Sequence, residues 1–337
     1  MRFFKRDRAT AGPEDIGGFW SWWESARDRV AAGIADGSVA GLAPEISGQV
    51  SRIHPLLAWE LAPGSVAAHA LVVTPEGNHE TRPRAVAWLA AAPPTDEVWE
   101  YHASRQAGPL NTLVIGGATV DLAEVRAIAA WNESREVLNV KLWHRAFPGM
   151  PQQARHQVAF LFLDNLLGED GVERWIGSID LLEAESGGRT PEELRDEVER
   201  RAAAATRDAW VLAERPDRRG DRALVSANAA LKHIDHPFAA HHLLVTVDRG
   251  LEQLAGSPES AELNAAEDEL VAALEAEGAV YAGRVTERRQ RQIHFACEDP
   301  DLGVQTARAW AARFDRFGPR VQVKADPAWA FRADLLG

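Results

Sequence analysis

Four carboxylates, Asp164, Glu169, Asp170 and Glu173, stand within ten residues just after the apolar run VAFLFL at 158–163. Neighbouring carboxylates can divide general-acid and general-base work when their surroundings push their pKa values apart. His144 and His156 flank the same stretch. His144, Asp164 and Glu169 therefore form the candidate catalytic set for a hydrolase-type enzyme. The competing reading is helix punctuation, and we take it first. Asp170, Gly171, Val172 and Glu173 have capping-box spacing, an acid at N-cap and a glutamate at N3. Gly168 sits where a helix ends on a left-handed residue. Asp164 follows Phe160 by four and lies on or beside an apolar stripe, either held structurally or touching a ligand.

Two other clusters carry chemistry-bearing side chains. "HIDHPFAAHH" packs His233, His236, His241 and His242 around Asp235, a set that zinc could use. His241 and His242 open a strand pattern, however, and adjacent strand residues point to opposite faces. No HExxH motif occurs, so loop histidines without a metal are expected. "RVTERRQRQ" carries Arg284, Arg288, Arg289 and Arg291 at a hairpin tip. Arginines there could grip phosphate or an acidic partner, or simply keep an exposed hairpin soluble. Neither glycine-rich phosphate loop occurs, nor a GxSxG nucleophile elbow. No cofactor is expected.

These residues need elements to hold them. Helices are expected over 18–35, 39–52, "RPRAVAWLAAAPP", "LAEVRAIAAW" and 152–167, the last apolar nearly all round between 158 and 163 and hence central. "LAWELAPG", "HALVVTPEG", "EVWEYHASR", "NTLVIGGATVD" and "VLNVKLWHRAF" read as strands. "RTPEELRDEVERRAAAATRDA" is a charged helix with a strong start signal at Thr190, Pro191 and Glu193, and "ERPDRRGDR" at 214–222 is a solvated loop. Beyond it come a strand or loop "ALVSANAALKHI", the strand "HHLLVTVDRG", a helix closed by Gly278, a hairpin pairing 280–285 with 293–297, a helix started by Asp299 and Pro300, and the strand "PRVQVKA". The order β-α-β-β-α-β is the split unit of ferredoxin-like folds. An α+β chain of two domains is expected: an N-terminal, Trp-rich domain at 1–187, a charged helical linker at 188–222, and a ferredoxin-like domain at 223–337 whose helices cover one face of an antiparallel sheet.

Composition narrows the function classes. The 337 residues carry a formal charge of −13, unfavourable for a general nucleic-acid binder or an anionic membrane surface. Cys297 is the only cysteine, which rules out an intramolecular disulfide and a cysteine zinc site. No apolar stretch approaches the ~18 residues of a membrane span, and "MRFFKRDRAT" has charge without the apolar core of a leader. A cytoplasmic protein is expected. Its 33 arginines against four lysines suggest a GC-rich bacterial genome. Of twelve tryptophans, the cluster "FWSWW" at 19–23 reads as the packing face of a helix, with Trp20, Trp23 and Arg27 at helical spacing.

The back half also resembles a known family. "HHLLVTVD", "AAEDELVAALE", "GAVYAGRVT", "QIHFACED" and "DPAWAFRADLL" are similar to domain-of-unknown-function family 695 over 241–335. Looser matches in front of it are "FWSWW", "AAPPTDEVWE" and "FLFLDNLLGE". In outline that domain is similar to the RNase E activity regulator B family, acidic proteins that bind and inhibit a ribonuclease. The resemblance implies a regulator's fold and carries no catalytic residue.

The expectation is a non-catalytic, macromolecule-binding or regulatory protein whose partner is another protein. The sheet edge and the acidic helix 260–277 are the proposed contact surfaces. The alternatives are the hydrolase-type site at His144, Asp164 and Glu169, and RNA contact through Arg284, Arg288, Arg289 and Arg291.

Overall fold

The computed structural model describes residues 13–184, 187–206, 208–216, 220–248 and 258–336. The reading of 1–10 lies outside the described residues, as do parts of the segments 184–190 and 214–222; the ends of the latter are strand rather than loop, 214–216 pairing antiparallel with 222–224. The α+β class holds, and the chain forms two compact units. One runs to Leu110 and takes in Phe160–Glu173; the other comprises Asn111–Ala159 and the chain from Arg174 onward. Among the described residues no helix is long and apolar enough to cross a membrane.

The first unit begins with α1 (Pro13–Asp36) and α2 (Ala43–Ile53), followed by β1 (Ala58–Pro63), β2 (His69–Thr74), α3 (Arg82–Ala90) and β3 (Trp99–His102). β1 and β2 pair antiparallel, and β3 returns parallel to β2 after the α3 crossover. The aromatic cluster packs as the helical spacing requires. Phe19 and Trp23 are buried against Trp88, Trp99 and Tyr101. The indole N–H of Trp23 donates to the Tyr101 hydroxyl at 3.0 Å, and that of Trp20 to the Trp88 carbonyl at 3.0 Å. Trp20 and Trp23 thus bury ring area while their polar edges are satisfied, whereas the indole nitrogens of Trp88 and Trp99 are buried without a partner.

This unit also holds the end of α4 (Gln152–Leu167) and the start of α5 (Glu169–Trp175). Gly168 joins them at φ +74°, as expected. α4 is not buried all round: Val158, Phe162, Leu163 and Leu166 are buried, but Phe160 is 52% exposed. The capping box at 170–173 does not form. Asp170 and Glu173 lie inside α5, and both side chains bind the guanidinium of Arg82. Arg82 is only 3% exposed. A buried cation is costly without anions, so it draws both carboxylates away from the backbone.

The second unit opens with the hairpin β4 (Thr112–Ile115) and β5 (Ala118–Asp121), then β6 (Arg126–Asn132), β7 (Val137–Trp143) and β8 (Ile176–Leu181). "LAEVRAIAAW" is therefore not a helix. After one 3₁₀ turn it becomes β6, antiparallel to β7 in unbroken register from Arg126↔Trp143 to Asn132↔Val137. Alanine's helix propensity is a weak prior that pairing to a half-buried neighbour overrides. α6 (Pro191–Ala204) starts at the expected Thr190, Pro191 and Glu193 signal, which the structure builds as a capping box.

The rest of this unit is one sheet with helices. Its elements are β9 (Trp210–Pro216), β10 (Arg222–Asn228), β11 (His241–Asp248), α7 (Pro258–Ala276), β12 (Val280–Thr286), β13 (Gln290–Cys297), α8 (Pro300–Arg313), β14 (Arg320–Ala325) and α9 (Phe331–Leu336). The six strands lie in the order β14-β11-β13-β12-β10-β9, each pair antiparallel. Period-two alternation sorts the two faces. Leu243, Val245, Val247, Ile293 and Phe295 face α7 and α8, meeting Leu263, Leu270, Leu274 and Trp310 in the main core. On the other face Val225, Ala227, Ala282 and Ala296 pack with Phe331 and Leu335 of α9. At Gly283, φ +138°, the β12–β13 register shifts through a bulge.

Candidate functional site

The arginine hairpin divides in two. Arg284 and Arg291 turn towards α7 and bind Glu267, at 3.1 and 2.6 Å. The Tyr281 hydroxyl donates to the same carboxylate at 2.9 Å. Glu267 is 2% and Arg291 4% exposed, so this is an interior ion cluster. Burial, then the Glu267 charge, push the Tyr281 phenol far up, so it stays protonated and donates. Arg288 and Arg289 are different. They sit at the exposed turn and line a cavity on the face of the sheet away from α7 and α8.

That cavity encloses about 1320 Å³. Its floor is the alternate set of strand residues, polar except for Leu244: His242, Leu244 and Thr246 of β11, Gln292 and His294 of β13, and Gln322 and Lys324 of β14. Arg215, Arg288 and Arg289 stand at its rim with Asp221 and Glu287, and Phe331 and Asp334 of α9 close one end. The polar floor follows from the same alternation that sends Leu243, Val245, Ile293 and Phe295 into the core.

Two buried histidines mark the floor. His242 and His294 are 6% and 5% exposed. His242 Nε2 and His294 Nδ1 share a hydrogen bond at 3.1 Å, and Phe331 stacks on His242 with ring centroids 4.2 Å apart. Burial lowers the pKa of His242 to about 4, with Lys324 adding to the effect and Asp326 and Asp334 opposing it. Burial lowers that of His294 to about 3, reinforced by His242, Arg215 and Lys324. Both rings are neutral near pH 7, and His294 Nε2 is buried without a hydrogen-bond partner. As expected, His241 and His242 do not share a face; the His241 side chain is half-exposed. His236 stacks on Trp329 at 5.7 Å, and Asp235 pairs with Arg174.

The carboxylates of the first unit are engaged. Glu169 accepts from the Thr74 hydroxyl, from Gly77 N at 2.8 Å and from Arg105 N at 3.2 Å. Asp164 faces Arg105 Nη1 at 3.4 Å, and Arg105 Nε also binds Glu60 at 2.9 Å. Burial raises the Asp164 pKa against the opposing Arg105 charge. Asp164 and Glu169 thus meet on Arg105, whereas His144 belongs to the other unit. There its Nδ1 accepts from Ala146 N at 3.1 Å and its Nε2 lies 3.8 Å from Glu124. His156 stays on its own helix, 2.9 Å from the Gln152 carbonyl.

Residues 221–336 match DUF695, a family of unknown function. No curated protein and no solved structure matches the chain. The DUF695 segment contains β10–β14, α7, α8 and α9 and every groove residue named above except Arg215. His294, Arg215 and Lys324 escaped the sequence reading. For His294 a signal existed: Gln290, Gln292 and His294 alternate with Arg291, Ile293 and Phe295, so the polar set shares one face.

Proposed function

We propose that the protein is a non-catalytic binding protein with a regulatory role, acting in the cytoplasm, and that its partner is another protein received on the face of the DUF695 sheet turned away from α7 and α8, beside α9. The observation that carries this reading is the cavity of about 1320 Å³, floored by polar strand residues and open beside two exposed arginines. A volume above the usual ~300–1,000 Å³ of small-molecule pockets suits a chain segment better than a metabolite. We further take residues 223–337 as a ferredoxin-like domain extended at one edge. Supporting this, β14-β11-β13-β12 interleaves with α7 and α8 in the split β-α-β-β-α-β sequence, and β10 and β9 add to the β12 side.

Binding is favoured over chemistry because the acids that suggested a hydrolase are held by backbone amides and arginines. The test is site-specific photo-crosslinking in cells that naturally express the chain. A photoreactive residue at Gln292 or Gln322 should yield a discrete protein adduct. One at the exposed Arg308 of α8 should not. Absence of adducts from the groove, or the same adducts from all three positions, defeats the reading.

A further inference from the structure

The buried His294 Nε2 poses a specific chemical question. A buried polar atom left unpaired forfeits its hydration without return, a penalty of about 1–3 kcal/mol, so native proteins keep such atoms for a reason. His294 is 5% exposed, faces the cavity, and its other nitrogen is taken by His242. When His242 Nε2–H donates to His294 Nδ1, the His294 proton sits on Nε2 and the orphan atom is a donor. An anion selects that arrangement.

The charges support an anion too. Arg215, Arg288, Arg289 and Lys324 line the cavity, and among the described residues none of them forms an ion pair. Four acids also line the cavity, Asp221, Asp248, Glu287 and Asp334, and of these Asp221, Asp248 and Glu287 have partners of their own. Asp248 binds Arg320 through both oxygens, at 2.9 and 3.1 Å. Glu287 accepts from Gln290 at 2.6 Å. Asp326 caps α9 by accepting from Ala330 N and Phe331 N. Asp334 belongs to α9, at the His242 end, whereas the charged side chains acting on His294 are Arg215 and Lys324. Aromatic platforms, on which single-stranded nucleic acid stacks, are not offered: Phe331, the lining aromatic ring outside the histidines, is 2% exposed.

We infer that the groove takes an acidic segment of a partner protein, one of whose carboxylates accepts a hydrogen bond from His294 Nε2 in the field of Arg215 and Lys324. This rests on the binding reading above and names the chemistry of the partner. Recognition of acidic motifs by clustered cations is an established mode, and a charge-assisted hydrogen bond from a dry donor is stronger than a neutral one.

The test uses the full chain and three probes: a hexaglutamate peptide, a hexaglutamine peptide and a hexauridine oligonucleotide. Calorimetry at low salt should show binding of hexaglutamate alone. His294→Phe and Lys324→Gln should each weaken it about tenfold or more, in line with a lost charge-assisted bond, while Arg308→Gln should leave it unchanged. Hexaglutamate should also move the His294 Nε2 nitrogen resonance to the protonated position. If His294→Phe does not fold, His294→Gln serves: its amide N–H can still donate, so it should bind more tightly than His294→Leu. No binding of hexaglutamate, equal or tighter binding of hexauridine, or affinity indifferent to residues 294 and 324 overturns the inference. A groove cross-link without hexaglutamate binding removes the acidic-segment inference alone; failure of both experiments removes the binding reading as well.

Discussion

His242 and His294 lie nearly parallel, their planes 10° apart, and share one hydrogen bond at 3.1 Å while burial, with Lys324 near both rings and Arg215 near His294, biases them towards neutrality. This makes the second unit acid-sensitive. Their folded pKa values, about 4 and about 3, lie below the unfolded value of ~6.5. Between those limits the unfolded chain binds more protons, so stability falls as pH drops from about 6.5 towards 4 and levels off below about 3. The loss should be on the order of a few kcal/mol. Urea unfolding at pH 7, 5 and 4 measures it, and a His242→Gln, His294→Gln double variant should show a shallower slope.

Glu267 anchors the interior half of the arginine hairpin. Glu267→Ala leaves Arg291, 4% exposed, as a buried cation without its carboxylate, and should cost about 3–5 kcal/mol. Glu267→Leu with Arg291→Met removes both charges and should recover most of that. Chemical denaturation of the two variants beside the parent decides it. Equal losses would mean that the pairing contributes little.

Arg82 binds Asp170 and Glu173, and its guanidinium lies 3.8 Å from Glu169. Arg82→Met should destabilise the first unit by about 3 kcal/mol or more, by leaving partly buried carboxylates uncompensated. Hexaglutamate affinity should not change. Amide exchange within residues 13–110 reports on this unit, whose core holds Trp23, Trp88 and Trp99.

Gly283 sits at the β12–β13 bulge and lies opposite Ala227 of β10. A Cβ there would lie 2.7 Å from the Ala227 Cα, at a φ of +138° that L-residues avoid. Gly283→Ala should cost about 1–3 kcal/mol from the backbone conformation, and more from the clash. Amide exchange should localise the damage to the β10–β12 pairing.

Glu169→Gln separates the two readings of the first-unit acids. It weakens the acceptor for Thr74, Gly77 and Arg105, so it should lower the thermal midpoint by a few degrees, as expected for about 1 kcal/mol. Binding in the groove should be untouched. A stable variant with altered chemistry on a hydrolysable substrate panel would instead favour the enzyme alternative.

Much of this architecture is written in local pattern. The Trp20–Trp23 face, Gly168 as a left-handed helix end, the Thr190–Glu193 capping box, and the order of elements from β11 to β14 follow from 3.6- and two-residue periodicities and from capping chemistry, which act between near neighbours. The opposition of His241 and His242 is of the same kind. What the tertiary structure alone decided are pairings across long separations. Register brought His294 to His242, Glu267 claimed Arg284 and Arg291 from a hairpin that looked wholly exposed, and Arg82 drew Asp170 and Glu173 out of a capping box their spacing allowed. Sheet pairing turned the alanine-rich segment 126–132 into a strand. The physical reason is common to all four: which partner a buried charge or an edge strand finds depends on desolvation and on register, and neither is a property of a local stretch of chain.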